Sequence, residues 1–482
     1  MKLTNLYLLF CGIILASCAT KNIEPPVPVM PIPTAKQLAW HEMEQYAFVH
    51  FTTNTFTGKE WGFGDETPEV FNPGKVDVNQ WVTTLKAAGM KGLILTCKHH
   101  DGFCLWPSQF TEHSVKNSKW KDGKGDLVRE VADACHQNGL KFGIYLSPWD
   151  RNHPQYGSPQ YIEYYRNQLR ELFTAYGPVF EMWFDGANGG DGYYGGARET
   201  RKIDGRNYYD WPKTLEIVRE IEPEIVFFSD AGPDIRWVGN ERGTAGETNW
   251  NTINADTLYA GKSGISNLLN SGEEHGKMWI PAEVDVSIRP GWFYHAEEDS
   301  LVKTPEKLFE IYLTSVGRGS NLLLNIPPDR RGLIHENDAK ALEGWKNLLD
   351  QRFKTNLALR VKASANNVRG KSEQYGAANL LDGNKETYWA TDDNITKAEI
   401  EIDLKEPKTI NFITLQEYIK LGQRVKNFTV EVWKNDKWEQ VTEATTIGYK
   451  RIVAIEPIET SKLKINITAS KACPVISNIE VY

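Results

Sequence analysis

Between residues 40 and 345 the chain alternates short apolar runs with longer amphipathic stretches. The apolar runs predict strands over Ala47–Thr52, Gly92–Cys97, Lys141–Leu146, Glu181–Phe184, Glu224–Phe228, Met278–Val284 and Asn321–Ile326. The stretches between predict helices over Val78–Ala88, Leu127–Asn138, Pro159–Ala175 and Thr214–Ile221. Gly89 and Gly139 stand just past two of them, where a helix end favours a residue at positive φ. Alternation repeated this often predicts a parallel α/β sheet, and roughly 300 residues of it suit a (β/α)8-like barrel better than an open doubly wound sheet. No GxGxxG or P-loop pattern follows any of the strands, which removes the commonest nucleotide-binding folds.

Beyond about residue 360 the period changes to two. Glu399–Leu404, Phe412–Glu417, Phe428–Trp433, Arg451–Ile455 and Lys462–Ile467 are short alternating runs separated by turn residues, the pattern of an all-β sandwich. The chain therefore divides into a barrel over 36–352 and a sandwich over 353–482, with two shorter segments in front. Residues 1–18, MKLTNLYLLFCGIILASC, place Lys2 before an apolar run from Leu6 to Leu15, too short to span a bilayer and shaped like a secretory signal. Leu15-Ala16-Ser17-Cys18 resembles the bacterial lipobox, which implies a signal peptide of a lipoprotein and lipidation at Cys18. Residues 19–35 hold five prolines (25, 26, 28, 31 and 33) and read as an extended tether. The expected location is the bacterial cell envelope, anchored by lipid in the periplasm or on the outer membrane.

Composition narrows this further. The 482 residues include 55 Lys+Arg and 63 Asp+Glu, a net charge of −8, which disfavours a nucleic-acid partner. Forty per cent hydrophobic and 24% charged residues exclude disorder and a polytopic membrane protein. Of six cysteines, Cys11 lies in the signal, Cys18 is the lipidation site, and the other four do not resemble a dense disulfide framework. The 16 Trp, 20 Tyr and 19 Phe supply rings for sugar or base faces as well as for a core.

Barrel chemistry sits just beyond the C-terminal ends of strands. There the sequence places His50, Glu60 and Trp61 after the first strand, then His99, His100 and Asp101 after the second. Tyr145 ends the third, Asp185 and Gly186 follow the fourth, Asp230 and Glu241 follow the fifth, and Glu283, Arg289 and Trp292 come with the sixth. A single strand-end carboxylate is more often a cap or ion-pair partner than a catalyst. The His99–His100 pair beside Cys97 and Cys104 lacks zinc-ligand spacing and a second cluster, and no GxSxG elbow appears. A carboxylate pair flanked by His and Trp remains, which suits glycoside hydrolysis. Asp185, short and delivered by the apolar EMWF strand, is the nucleophile candidate; Glu241, Glu247 and Glu283 stay open as the acid.

VHFTTNTF, EWGFG, TCKHHDGFCLWPS, YLSPW, MWFDGANGG, DIRWVGNERG and LLLNIPPDRRGLI occur in that order and resemble the α-L-fucosidases of glycoside hydrolase family 29. The WVGNE segment resembles the branch acting on α-1,3- and α-1,4-linked fucose. The resemblance implies an exo-acting, retaining double displacement through a covalent fucosyl-enzyme, with Asp185 as nucleophile and Glu241 as acid/base, on fucosylated oligosaccharides or glycoconjugates. It also implies fucose hydroxyl contacts from His50, Glu60, His99, His100 and Tyr145, with Trp61 and Trp292 on the C6 methyl and ring face. Glu283 and Arg289 would line the aglycone side, and no metal or cofactor is implied for catalysis. VRGKSEQYGAANLLDGNKETYWATDD resembles the start of discoidin (coagulation factor 5/8 type C) modules, some of which hold structural calcium; Asp382 is the candidate ligand here. Two rival functions fit the same sequence: a non-catalytic glycan-binding lipoprotein, and a barrel glycosidase for another sugar. Oligomeric state is not legible in the sequence.

Overall fold

The computed structural model describes residues 23–482. The expected signal peptide and Cys18 lie outside the described residues. The proline-rich stretch is extended from residue 23, but it does not hang free. Tyr375 Oη donates to Ile23 O at 3.0 Å, Arg369 Nε to Glu24 O at 2.7 Å and Arg424 Nη2 to Val27 O at 2.7 Å. Val29 N donates to Leu421 O at 2.9 Å. The segment is thus a strap laid along the second domain. It ends at Thr34, whose hydroxyl caps helix α1 (Ala35–His41) in a capping box with Gln37.

Eight parallel strands close a barrel: β1 (Gln45–Val49), β2 (Gly92–Lys98), β3 (Lys141–Leu146), β4 (Glu181–Trp183), β5 (Val226–Ser229), β6 (Ile235–Trp237), β7 (Ala282–Ser287) and β8 (Asn321–Asn325). Each strand pairs with its neighbours in sequence, and β8 closes onto β1. Helices α2 (Val78–Ala87), α3 (Leu127–Asn138), α4 (Pro159–Ala175), α5 (Trp211–Ile221), α6 (Pro305–Thr314) and α7 (Glu336–Arg352) belong to the same α/β barrel domain. β5 and β6 are joined by residues 230–234 alone, with no helix between them.

Two strands differ from expectation. The predicted run Met278–Val284 is broken at Pro281, which cannot donate to a ladder. Met278–Trp279 pairs antiparallel with Thr252–Ile253, and the barrel strand begins only at Ala282. β6 was not predicted at all. It has three residues, with the buried charge of Arg236 at its centre, so it shows no apolar run. Arg236 is held instead by the carbonyls of Leu269, Ile280 and Trp250.

In the second domain, β9 (Ala398–Glu417) and β12 (Arg451–Ser470) are 20-residue strands whose mutual register shifts on either side of Pro407 and Pro457, where the alternation of each breaks into two runs. With β10 (Val425–Lys434), β11 (Lys437–Thr445) and β13 (Val475–Val481) they form an antiparallel sandwich around Ile400, Ile402, Phe428, Val430, Leu463, Ile465 and Ile479. This domain packs on the barrel. The His41 ring stacks on Tyr449 with centroids 5.1 Å apart, Phe309 packs edge-on against Phe412, and Gln423 exchanges hydrogen bonds with Asn251 N (2.8 Å) and Asn249 O (2.9 Å). Asp382 spends its oxygens on Asn384 N (2.7 Å) and Thr387 Oγ1 (2.7 Å). Among the described residues no cluster of three or more His, Cys, Asp or Glu side chains stands where a metal would bind. Nor, among them, is any helix long and apolar enough to cross a membrane.

Candidate active site

A cavity of about 520 Å³ opens at the C-terminal end of the barrel, where the strands deliver their chemistry. His50, Glu60, Trp61, His99, His100, Tyr145, Asp185, Glu241 and Trp292 all line it, as do Trp183, Asp230, Trp237 and Asp285. A cleft of about 720 Å³ at the domain junction is larger, but surface charges such as Lys91, Lys346 and Asp350 line it without converging on one point.

Asp185 lies two residues beyond β4 and is held by both oxygens. Tyr145 Oη donates to Oδ2 at 2.8 Å, and the backbone N–H of Ala187 donates to Oδ1 at 2.7 Å. His100 Nε2 stands 3.7 Å from Oδ2. Donors on both oxygens fix the carboxylate's orientation. Gly186 is needed beside it, because a Cβ there would lie 2.2 Å from Oδ2 of Asp230. That carboxyl also accepts from Gly261 N at 2.7 Å, so it packs between Gly186 and the Gly261 loop at the rim of the cavity.

The three histidines are buried, and burial lowers all of them: His50 to about 3, His100 to about 4, and His99 well below the usual value. All are therefore neutral at pH 7, and each ring offers one donor and one acceptor. Ser147 Oγ donates to Trp149 O at 2.7 Å, so it accepts from His100 Nδ1, 2.7 Å away. The proton is on Nδ1, and Nε2 is left as an acceptor. By the same reasoning Asn325 Oδ1, 2.8 Å from His50 Nδ1, leaves His50 Nε2 as an acceptor. His99 Nδ1 is buried with no partner among the described residues, an acceptor or donor awaiting one. Asp101 of the same motif does not reach the cavity. It accepts from Thr52 Oγ1 (2.7 Å) and Thr53 Oγ1 (2.6 Å) and so clamps the loop after β1 to that after β2.

Glu60 accepts from Trp292 N (2.6 Å) and Phe293 N (3.2 Å), and its Oε1 lies 2.6 Å from His295 Nε2. It thus fixes the segment that presents the Trp292 ring. A Cβ at Gly291 would come within 2.4 Å of the same carboxylate. Trp61, half exposed, stands edge-on to His100 and Trp149 at the rim.

Glu241 lies four residues past β6, an exposed residue that stands at the wall of the cavity. Burial raises its pKa; the charges of Asp185 and Glu60 add to that, against a lowering contact with Trp292. The other two acid candidates stand elsewhere. Glu247 is exposed at the domain junction, where it pairs with Arg318 at 3.5 Å. Glu283 is fully buried beneath the cavity, bonded to Tyr46 Oη and to Trp183 Nε1 (2.8 Å). Arg289, expected on the aglycone side, is buried between Asp338 (2.9 Å) and Asp299 (3.0 Å), where it ties the segment after β7 to α7. Neither Glu283 nor Arg289 lines the cavity, so both expectations are corrected.

Asp285 and Asn325 were not among the expected site residues. Asp285 directly follows the predicted run Met278–Val284 and sits two positions after Glu283 on the same inward face.

An alpha-L-fucosidase family model matches residues 29–351, and an F5/8 type C domain model matches residues 360–480. Alpha-L-fucosidase 1 of Arabidopsis thaliana is 40% identical over 463 residues, covering 95% of this chain and 88% of that protein. A glycoside hydrolase 29 family member from an unknown rumen bacterium is 45% identical, with a TM-score of 0.85, over 95% of this chain and 78% of that one. A GH29 fucosidase of Ruminococcus gnavus, solved in complex with fucose, is 34% identical, with a TM-score of 0.86, over 96% and 97% of the two chains. A barrel domain matched along nearly its whole length, with relatives similar across both domains, means that this chain belongs to the α-L-fucosidases of glycoside hydrolase family 29.

Proposed function

We propose that the chain is an exo-acting, retaining α-L-fucosidase that removes terminal α-1,3- or α-1,4-linked L-fucose from branched glycans. The observation that carries this reading is the presentation of Asp185, oriented through both oxygens, in one cavity with Glu241, whose pKa stands above that of an ordinary carboxyl. In this reading Asp185 attacks the anomeric carbon while Glu241 protonates the departing oxygen, and the C1–O bond breaks as the C1–Asp185 bond forms. Glu241, now a carboxylate, then takes a proton from water, which attacks C1 and releases Asp185. His50, His99, His100 and Tyr145 meet the sugar hydroxyls; Trp61 and Trp292 cover the methyl group and the apolar ring face. The fucose bound to the Ruminococcus gnavus relative supports the choice of sugar.

A panel of oligosaccharides tests the linkage. Branched trisaccharides with α-1,3- or α-1,4-linked fucose should be cleaved at least about tenfold faster in kcat/KM than α-1,2-linked isomers, a difference of about 1.4 kcal/mol in transition-state binding. Equal rates would remove the linkage assignment and leave the fucosidase activity standing.

The proposed location is the bacterial envelope, through lipid on Cys18. Five Cα–Cα steps, across four intervening residues, separate Cys18 from Ile23, the first described residue pinned to the second domain. At 3.3–3.6 Å per residue they reach about 18 Å at most, so lipidation would hold the sandwich close to the membrane. In a bacterial host, Cys18→Ala should move the enzyme from the detergent phase to the aqueous phase; retention in detergent would refute the anchor.

A further inference from the structure

Strand β7 carries three inward-facing polar side chains at alternate positions, and each holds a different wall of the cavity. Glu283 accepts the indole N–H of Trp183 at 2.8 Å, and Asp285 accepts that of Trp237 at 2.8 Å. Ser287 Oγ accepts from Asn325 Nδ2 at 2.9 Å, and Asn325 in turn fixes His50. A two-residue period puts all three on one face of the strand, and all three are buried. Asp285 differs from the other two because it also lines the cavity itself.

Its partner needs the support more than the others do. Trp183 is stacked on Phe228 with centroids 4.0 Å apart, and His50 is boxed by Phe48, His99 and Phe293. Trp237 ends a strand of only three residues, is not fully buried, and starts the exposed loop that carries Glu241. Backbone pairing fixes the strand but not the rotation of an indole at its end. The Asp285 hydrogen bond does fix it.

We propose that Asp285 is a positioning residue of this fucosidase, holding the Trp237 indole as a rigid wall of the fucose cavity. Burial, with the charges of Glu241 and Glu283 adding to it, pushes the Asp285 carboxyl well above the ordinary range. Asparagine is a near match for it in shape and in the oxygen acceptor it offers to the Trp237 indole.

The inference rests on the cavity being the fucose site, which competition by free fucose against wild-type hydrolysis of an aryl fucoside checks on its own. If fucose does not compete, it is the site assignment that fails. If it does, the variants test Asp285. Asp285→Leu should weaken inhibition by fucose and raise KM by about tenfold, the scale of one buried hydrogen bond. Trp237→Phe, which keeps an aromatic ring but lacks the indole N–H, should do the same, and the double variant should be no worse than either. Asp285→Asn should stay within about twofold of wild type. If Asp285→Leu does not fold, Trp237→Phe and Asp285→Asn carry the test alone. The proposal is overturned if Asp285→Asn is as damaging as Asp285→Leu or Trp237→Phe, if the single losses multiply in the double variant, or if fucose inhibition is unchanged in Trp237→Phe.

Discussion

Asp185→Ala should abolish turnover of every substrate, activated or not, with kcat falling on the order of 10⁴-fold or more, as when a covalent nucleophile is removed elsewhere. No neighbour can substitute. Tyr145 and His100 touch the same carboxylate, but the first is a phenol whose pKa burial pushes far up, and the second is a neutral imidazole already bound to Ser147. Asp230 is spent on Gly261 and lies behind Gly186. The fold should survive. The side chain is 23% exposed, so water can reach the freed Tyr145 hydroxyl and Ala187 N–H, and the stability cost is about 1 kcal/mol. Free fucose should still bind. Added azide gives the sharper readout: it can enter the space left by the carboxylate and attack C1 from that side, yielding a β-fucosyl azide from an α-fucoside. Undiminished turnover, or rescue giving only the α-anomer, would show that Asp185 is not the nucleophile.

How much of this was readable in the sequence depends on what held each residue in place. Asp185, His99 and His100 were legible because they lie within two residues of the C-terminal ends of strands that read as apolar runs, which fix the end of the barrel. Asp285 directly follows the predicted run, but its role was not legible, because its partner, the Trp237 indole, lies 48 positions away. Pro281 splits that run and moves the start of the strand by four residues. The same shift misplaced Glu283. It does face the barrel axis, but it sits two residues, roughly 7 Å, below Asp285, in a layer closed over by Trp183. Arg289 looked like a substrate contact because its partner, Asp338, lies 49 positions away on α7, a distance no local pattern reports. β6 failed for a related reason: Arg236 is stabilised by backbone carbonyls from other segments, so its burial leaves no trace in the hydropathy of its own strand. The prolines in β9 and β12 acted in the opposite sense, dividing single long strands into two convincing short ones. The sequence therefore reports best what is positioned locally, and half of this site is positioned by partners distant in the chain.

Glu241→Ala should separate substrates by their need for protonation. Aryl fucosides with good leaving groups depart without an acid, so formation of the fucosyl-enzyme should remain fast, whereas oligosaccharides, whose leaving groups are alcohols, should slow by about 10²–10⁴-fold, the usual contribution of a general acid. Hydrolysis of the intermediate also loses its base, so the aryl substrates should show a burst followed by slow turnover. Azide should relieve that second step by attacking the intermediate from the face opposite Asp185, and the product should be the α-fucosyl azide. This is the opposite anomer from the one expected with Asp185→Ala, so the two variants check each other. The pH profile gives an independent reading. Activity requires the protonated acid and is lost as pH rises through its pKa, which burial and the charges of Asp185 and Glu60 raise above that of an ordinary carboxyl. Glu241→Gln should therefore remove the alkaline limb for aryl substrates and leave the acidic limb in place. In a substrate complex the two carboxyls should stand roughly 5–5.5 Å apart, as a retaining displacement requires. Glu247 and Glu283 supply the control: one lies at the domain junction and the other below the cavity, so Glu247→Ala should preserve both the leaving-group independence and the pH profile of the wild type. If the leaving-group signature followed Glu247 instead, Glu241 would lose its role as acid and base.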